Sequence, residues 1–207
     1  RTAATASALL IGLGLVAFVA VSGALSKEST TVVLERTLKA DFILTSPTFS
    51  GFSTSAAQDV RAVPGVQTVS QVRQAEAKVE GGTVFVTGLD PATFDDVSEL
   101  GVVEGSVADL GTPDTIAIHE DIAATEGWSI GDTVDVEWPS TGRADLEVAV
   151  IYAENGLIGD WATSLDTYDA NVAQELGLFV LIKAGDGANV AAVRSDREAA
   201  LEPYPNI

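Results

Sequence analysis

The chain opens with an uninterrupted apolar segment. No charged residue lies between Arg1 and Lys27, and the strongest apolar stretch runs from Ala8 to Leu25. At about 1.5 Å per residue, a helix over this stretch covers about 27 Å, close to the hydrocarbon thickness of a bilayer. The pattern predicts a transmembrane helix over 1–26. Two alternatives stay open: a cleaved signal peptide, for which Ser22–Ala24 offers a small-residue cleavage site, and a buried core helix.

Helical periodicity continues beyond this segment. Residues 27–40 read KESTTVVLERTLKA, in which Leu34 and Leu38 share one helical face and Glu35 stands four residues before Lys39. The pattern predicts a stalk helix continuous with the span. A cleaved signal peptide needs no such continuity, so the stalk favours a membrane anchor. Leu34 and Leu38 are the candidate residues for coupling the membrane span to the domain after residue 40.

After residue 40 the pattern alternates between short strands and short helices. Apolar runs bounded by turn residues predict strands at 40–46, on both sides of Gly81-Gly82, and at 178–184. Helices are predicted after Ser55, whose spacing to Gln58 fits a capping box, after Pro91, and over 189–201, where Val190, Val193, Arg197 and Leu201 follow one side. This alternation predicts an α+β core.

The middle of the chain is richer in strands. The stretch TIAIHEDIAATEGWSIGDTVDVEW, followed by ADLEVAVIYAENG, predicts a strand, a short helix and two further strands, with Ile116, Ile118, Val134 and Val136 buried. We interpret it as a small, mostly β subdomain inserted into the α+β core. The predicted segments are a transmembrane helix (1–26), a stalk helix (27–40), the first part of the α+β core (41–110), the β-rich subdomain (111–155), and a loop with the second part of the core (156–207).

Composition and charge narrow the classes of function. Apolar residues make up 46% of the 207 residues, which excludes a disordered chain. The net charge of −19 makes nucleic acid a poor partner and predicts a domain that stands off anionic lipid headgroups. The absence of cysteine excludes disulfides, thiolate nucleophiles and Cys-ligated zinc.

Candidate chemistry is sparse. His119, the single histidine, ends an apolar strand, where a structural or surface role is favoured over a catalytic one. Asp135 with Glu137, and Asp95 with Asp96, are close carboxylates without calcium-loop spacing, and a solvated face is the favoured interpretation. No nucleophile elbow, S-x-x-K pair or Walker loop is present. The sequence therefore predicts no catalytic, cofactor-binding or metal-binding residue.

Two tryptophans could serve either packing or binding. Trp128 is predicted to close the core of the β-rich subdomain. Trp161 lies in a weakly patterned stretch, 155–177, that is predicted to be a long loop. There it is either a core residue or an exposed contact for a partner.

The order of these elements resembles a known family. The opening RTAATASALLIGLGLV, the strand ADFIL, the helix closing on VRAVPGVQTVSQV, the segment VFVTGLDPATF, and the run from Ala123 to Val134 are similar to the extracytoplasmic core domain of MacB/FtsX-type ABC transporter permeases. The resemblance covers essentially the whole chain.

The resemblance implies a function that the residue chemistry alone does not give. In such permeases the first membrane helix continues into a stalk that carries a domain outside the cell, and further membrane helices come after it. A separate cytoplasmic ATPase supplies the motion, which reaches a peptide, lipoprotein or cell-wall protein on the outer side. The resemblance implies that the protein lies in the cell membrane, with the residues after about 27 outside the cell. It also implies that the domain binds no cofactor. A secreted binding module with a cleaved signal, and an acidic hydrolase, are the alternatives from other classes.

Overall fold

The structure is a computed structural model that describes residues 37–46, 51–154, 156–173 and 176–204. The chain divides into two compact units, Arg1–Thr37 and Leu38–Ile207, and apart from Thr37 the described residues belong to the second. No helix within the described ranges is long and apolar enough to cross a membrane. The predicted span, 1–26, lies outside those ranges.

Strands dominate the described part of the chain. They are β1 (Phe42–Thr45), β2 (Phe52–Ser53), β3 (Val66–Val79), β4 (Gly82–Leu89), β5 (Val102–Gly105), β6 (Thr115–His119), β7 (Thr133–Trp138), β8 (Gly142–Tyr152), β9 (Trp161–Ser164), β10 (Leu176–Gly177) and β11 (Phe179–Ala184). The α-helices are α1 (Ser55–Arg61), α2 (Phe94–Val97), α3 (Glu120–Glu126), α4 (Leu165–Asn171) and α5 (Val190–Leu201), and a 3₁₀ helix spans Val107–Gly111.

Nine strands form one mixed sheet. Its order is β1-β11-β3-β4-β9-β6-β8-β5, and β7 pairs with both β3 and β8. The β4–β9 and β6–β8 pairs are parallel and the other pairs are antiparallel. The short strands β2 and β10 form a separate antiparallel pair. This sheet with its helices confirms the predicted α+β fold class.

Three apolar clusters hold the sheet and the helices together. The first, around Phe94, Leu110 and Tyr152, lies in the middle of the sheet. A second contains the four residues predicted to be buried in the β-rich segment, each with no exposed side-chain surface, together with Trp138 and Trp161. The third joins α1 and α5 to β1, β3 and β11. Strands β6, β7 and β8 belong to the large sheet and do not form a sheet of their own. A separate subdomain over 111–155 therefore stays a prediction.

Several predicted elements are confirmed in detail. β3 and β4 form the predicted hairpin, and the turn residues Glu80 and Gly81 have φ of 49° and 78°, the left-handed conformation that tight hairpins need. The helical turn after Pro91 is α2, with Phe94 and Val97 fully buried. The β7–β8 hairpin and the strand β11 also form where the sequence predicts them.

Other predictions are wrong in their details. Residues 38–40 are not helical, so the predicted stalk helix does not reach residue 40. Ser55 does not cap α1, because Thr54 occupies the N-cap and no side chain caps the helix. The stretch 155–177 is not one long loop, since it contains β9 and α4. On α5, Val193 is buried but Val190 is 45% exposed, because only the side facing the sheet is covered.

Candidate functional site

The segment that leads into the sheet, residues 38–41, is the candidate site for coupling, and we call it the N-terminal junction. The amides of Lys39 and Ala40 both donate to the carbonyl oxygen of Val97, at 2.9 and 3.0 Å, and Leu38 forms an antiparallel bridge with Ser98. The junction is thus fixed to the end of α2. Because Phe94 and Val97 hold α2 in the core, this attachment is to a buried element.

The junction is also tied to β11 through Asp41. Its amide donates to the carbonyl oxygen of Ile182 at 2.9 Å, and its Oδ2 accepts from the amide of Ala184 at 2.8 Å. On the edge of β11 that faces β1, the carboxylate of Asp41 thus takes the place of a backbone carbonyl as the acceptor for the amide of Ala184. Two independent attachments, to α2 and to β11, therefore fix four successive residues.

Charged side chains surround the attachment to α2. Lys39 Nζ donates to the carbonyl oxygen of Asp95 at 3.2 Å and lies 3.5 Å from Glu99 Oε1. Lys183 Nζ donates to the carbonyl oxygen of Asp96 at 3.2 Å, and Asp96 Oδ2 accepts from Thr68 Oγ1 at 3.1 Å. Partial burial raises the pKa of Asp95, Lys39 opposes this shift, and the neighbouring Asp96 and Glu99 carboxylates add to it.

Of the two candidate coupling residues, one lies in this junction. Leu38 is half-buried and packs against the cluster around Phe94. Leu34 lies outside the described residues. Asp41 was not singled out from the sequence, since one acidic residue among thirty carries no local signal, and its role depends on β11, 143 residues further along the chain.

His119 has a structural position. It ends β6 and caps α3, because its Nδ1 accepts from the amide of Asp121 at 3.2 Å. Its Nε2 donates to the carbonyl oxygen of Ala153 at 3.0 Å, and its ring meets the edge of Tyr152. Both ring nitrogens are thus engaged by the backbone, which agrees with the favoured structural role.

Asp135 and Glu137 each form an ion pair with a residue of a neighbouring strand. Asp135 Oδ2 accepts from Arg143 at 2.7 Å, and Glu137 Oε1 accepts from Lys78 at 3.0 Å. Within the part of the chain that the structure describes, no group of three or more acidic or histidine side chains could hold a metal ion. The side chains of Asp135 and Glu137 are 42% and 43% exposed, so this face is solvated, as predicted, and ion-paired as well.

Trp161 is a core residue. It is the first residue of β9, is 6% exposed, and meets Trp128 edge to face with ring centroids 5.9 Å apart. The partner-contact role required an exposed side chain, and burial in the folded domain leaves Trp161 no such surface. The structure supports the predicted packing of Trp128, which lies against the same cluster.

A groove that the sequence did not predict runs along the middle of β3, with a volume of about 520 Å³. Phe85, on β4, lines the groove and is 55% exposed. Its wall on the other side includes Tyr168 of α4, whose ring packs over Gly88 and meets the Trp138 ring edge to face. Burial raises the pKa of Tyr168 to about 12. The alternation of β4 predicts which residues face outward, but it does not predict an open groove beside them.

A comparison with known protein families identifies the family of this chain. Residues 2–200 match the MacB-like periplasmic core domain, and the chain belongs to this family. It is accordingly the extracytoplasmic domain of a MacB-like ABC transporter permease, a class of cell-membrane protein that works with an ATPase partner and membrane helices. A comparison with curated proteins gives no match.

Solved structures share the fold. The periplasmic region of MacB from Actinobacillus actinomycetemcomitans is 12% identical, with a TM-score of 0.54 and 73% of each chain covered. A domain of a putative permease from Porphyromonas gingivalis is 15% identical, with a TM-score of 0.52, over 74% of this chain and 78% of that one. The extracellular domain of the noncanonic ABC-type transporter YknZ from Gram-positive bacteria is 16% identical, with a TM-score of 0.51, over 70% and 78%.

Proposed function

We propose that this domain receives motion at the N-terminal junction and passes it to a partner on the outer side of the membrane. The observation that carries the proposal is the double attachment of residues 38–41 to α2 and β11. A flexible linker would need no such hydrogen bonds, whereas a force-bearing connection needs them, because a displaced segment moves only the elements to which it is fixed.

The other parts of the proposed function are inferred from the family to which the chain belongs. Residues 1–26 span the membrane, 27–37 form the stalk, and the domain after it lies outside the cell. ATP hydrolysis belongs to a separate cytoplasmic subunit, so this chain supplies no catalytic residue and no cofactor. The outer-side partner is a peptide, a lipoprotein or a cell-wall protein. Leu34 and Leu38 couple the stalk to the domain.

The proposal can be tested by making the connection between the stalk and the N-terminal junction flexible. Four glycines inserted after residue 36 in the full-length permease should abolish transport-linked function, because a glycine linker transmits almost no displacement. Leu34→Pro should have the same effect, since proline costs a helix about 3 kcal/mol and kinks it. Function, expression and assembly with the ATPase are measured in parallel, and the last two should stay normal.

The matched control is the same four-glycine insertion between Gly81 and Gly82. This hairpin turn is exposed, so the insertion lengthens a surface loop without touching the junction. Function should persist there. Full activity of the chain with the insertion after residue 36 would mean that the stalk is a passive tether, and the proposal would be abandoned.

A further inference from the structure

The carbonyl end of α2 is bonded to two other parts of the chain. A helix leaves its last carbonyl oxygens without partners inside the helix, so they accept from elsewhere. The last three carbonyl oxygens of α2 all have such donors: Asp95 accepts from Lys39 Nζ, Asp96 from Lys183 Nζ, and Val97 from the amides of Lys39 and Ala40. The end of this short helix is therefore shared by the N-terminal junction and β11.

The two lysines reach α2 from different elements. Lys39 belongs to the junction and also lies 3.5 Å from Glu99 Oε1, just beyond α2. Lys183 belongs to β11, next to the point where the register of β11 with β3 shifts. A lysine ammonium group suits the end of a helix, because the carbonyl oxygens there carry partial negative charge. Lys39 thus joins the junction to α2, and Lys183 joins β11 to the same end of α2.

Asp41 connects the junction to β11 beyond the last strand pair. Pairing between β1 and β11 ends at Phe42 and Ile182. The carboxylate of Asp41 accepts from the amide of Ala184, two residues further along β11, at 2.8 Å. The chain can therefore leave the sheet toward α2 at residues 39 and 40 while it still holds the end of β11.

The three side chains link three segments in pairs. Lys39 links the junction to α2, Lys183 links β11 to α2, and Asp41 links the junction to β11. We call these three links the clamp. A segment that is held at one point can pivot about that point. A segment that is held to two elements, which are in turn held to each other, cannot pivot in this way.

We propose that Lys39, Asp41 and Lys183 are positioning residues, which make the junction, α2 and β11 move as one unit. This inference rests on the proposed function and adds to it the side chains on which transmission depends. Asp41 acts as a hydrogen-bond acceptor and Lys183 as a donor. Asn at position 41 and Arg at position 183 therefore preserve the clamp, whereas Ala at either position removes a link.

A double variant tests the role of the clamp in function. Asp41→Ala with Lys183→Ala removes both side-chain links to β11. In the full-length permease with its ATPase, we expect transport-linked function to fall at least about fivefold, the factor that corresponds to one lost hydrogen bond of ordinary strength. Expression and assembly should stay normal. The conservative pair, Asp41→Asn with Lys183→Arg, should keep the function.

Two controls separate positioning from stability. Lys78→Ala removes a lysine from an exposed ion pair with Glu137, elsewhere on the sheet. Gly88→Ala disturbs the packing beneath Tyr168 without touching the clamp, because its added Cβ would stand 2.7 Å from Tyr168 Cγ. Both variants should keep the function, although we expect Gly88→Ala to lower the Tm more than the double variant does.

Amide exchange of the purified full chain provides a readout that needs no transport. The amide of Ala184 should exchange about fivefold faster in Asp41→Ala and at an unchanged rate in Asp41→Asn. The amide of Ala40 is the informative one, because it donates to Val97 whereas Lys183 Nζ donates to Asp96. If the clamp is one unit, Lys183→Ala should make Ala40 exchange at least about twofold faster.

The proposal is rejected by any of three results. They are full function of the double alanine variant, loss of function in the conservative pair, and an exchange rate of Ala40 that Lys183→Ala leaves unchanged. If the glycine insertion after residue 36 abolishes function and the double alanine variant does not, the proposed function stands and these positioning residues are wrong. If the insertion leaves function intact, the exchange rates still decide whether the clamp exists.

Discussion

At the residue scale, close contacts decide which positions tolerate a change. Gly88 lies directly beneath the ring of Tyr168, and an added Cβ would stand 2.7 Å from Tyr168 Cγ. Its φ is not in the left-handed region, so space rather than backbone strain makes glycine necessary here. Gly82, at the start of the same strand, meets nothing closer than 3.5 Å.

Gly88→Ala should therefore destabilise the domain by about 1–3 kcal/mol, because Tyr168 is packed against Trp138 and cannot withdraw freely. Urea unfolding followed by tryptophan fluorescence measures the change. Gly82→Ala is the control and should alter the free energy of unfolding by less than about 0.5 kcal/mol. Equal stability of the two variants would show that the Tyr168 ring is not fixed over β4.

Ionisation of Tyr168 should also make the free energy of unfolding depend on pH in the alkaline range. Burial raises its pKa to about 12, so the folded chain keeps this proton at a pH where the unfolded chain has lost it. The unfolded state then binds fewer protons, and the free energy of unfolding falls as the pH rises above about 10, by at most about 1.4 kcal/mol per pH unit for this group. Burial raises the pKa of Tyr152 in the same direction.

Tyr168→Phe should make this decline shallower, because phenylalanine has no proton to lose. Urea unfolding between pH 9 and 11 provides the comparison, and both proteins should unfold alike below pH 9 apart from a constant offset. An identical decline in the two proteins would mean that Tyr168 ionises as easily in the folded domain as in water.

At the element scale, β3 organises the domain. Its fourteen residues pair with β11, β4 and β7, and they contribute to all three apolar clusters. The local pattern predicts this strand and its hairpin with β4, because the turn residues and the alternation lie close together in sequence. Its partners on the other edge are distant in sequence, so neither their pairing nor the gap between them could be predicted.

Amide hydrogen exchange should reveal which backbone amides of β3 lack a partner between the stretch paired with β11 and the stretch paired with β7. The amides of Ala75 and Ala77 point to the edge that pairs with β4, whereas those of Gln74 and Glu76 point to the open edge. We expect Gln74 and Glu76 to exchange markedly faster than their two neighbours, as measured by NMR on the full chain. Equal protection of all four amides would show that a further segment of the chain covers this edge.

At the scale of the whole molecule, net charge is the dominant electrostatic feature. The chain carries −19, and the ion pairs among the described residues are mostly exposed, so each contributes little to stability. Repulsion among the carboxylates therefore opposes the compact state more than the ion pairs support it.

Salt should accordingly stabilise the protein. Raising NaCl from about 10 mM to about 500 mM shortens the Debye length from about 30 Å to a few ångströms and screens this repulsion. We expect the Tm of the full chain to rise, as measured by circular dichroism at pH 7. A Tm that falls with salt would mean that attractive ion pairs outweigh the repulsion.

The sequence by itself determined the class of elements and the positions that are buried within them. The alternation of the sequence predicts that Ile116, Ile118 and Val134 are buried, and all three are, because the period of a strand fixes which side chains share a face. The acidic character and the family resemblance were likewise fixed by local stretches of sequence.

Only the tertiary structure decided which elements meet. Trp161 is buried because β9 lies between β4 and β6, and the carboxylate of Asp41 accepts from the amide of Ala184 because β1 lies beside β11. Each depends on residues far apart in the chain, whose pairing is set by the packing of the whole sheet. A single sequence carries no local sign of such contacts, and for that reason both the junction and the groove became visible only in the fold.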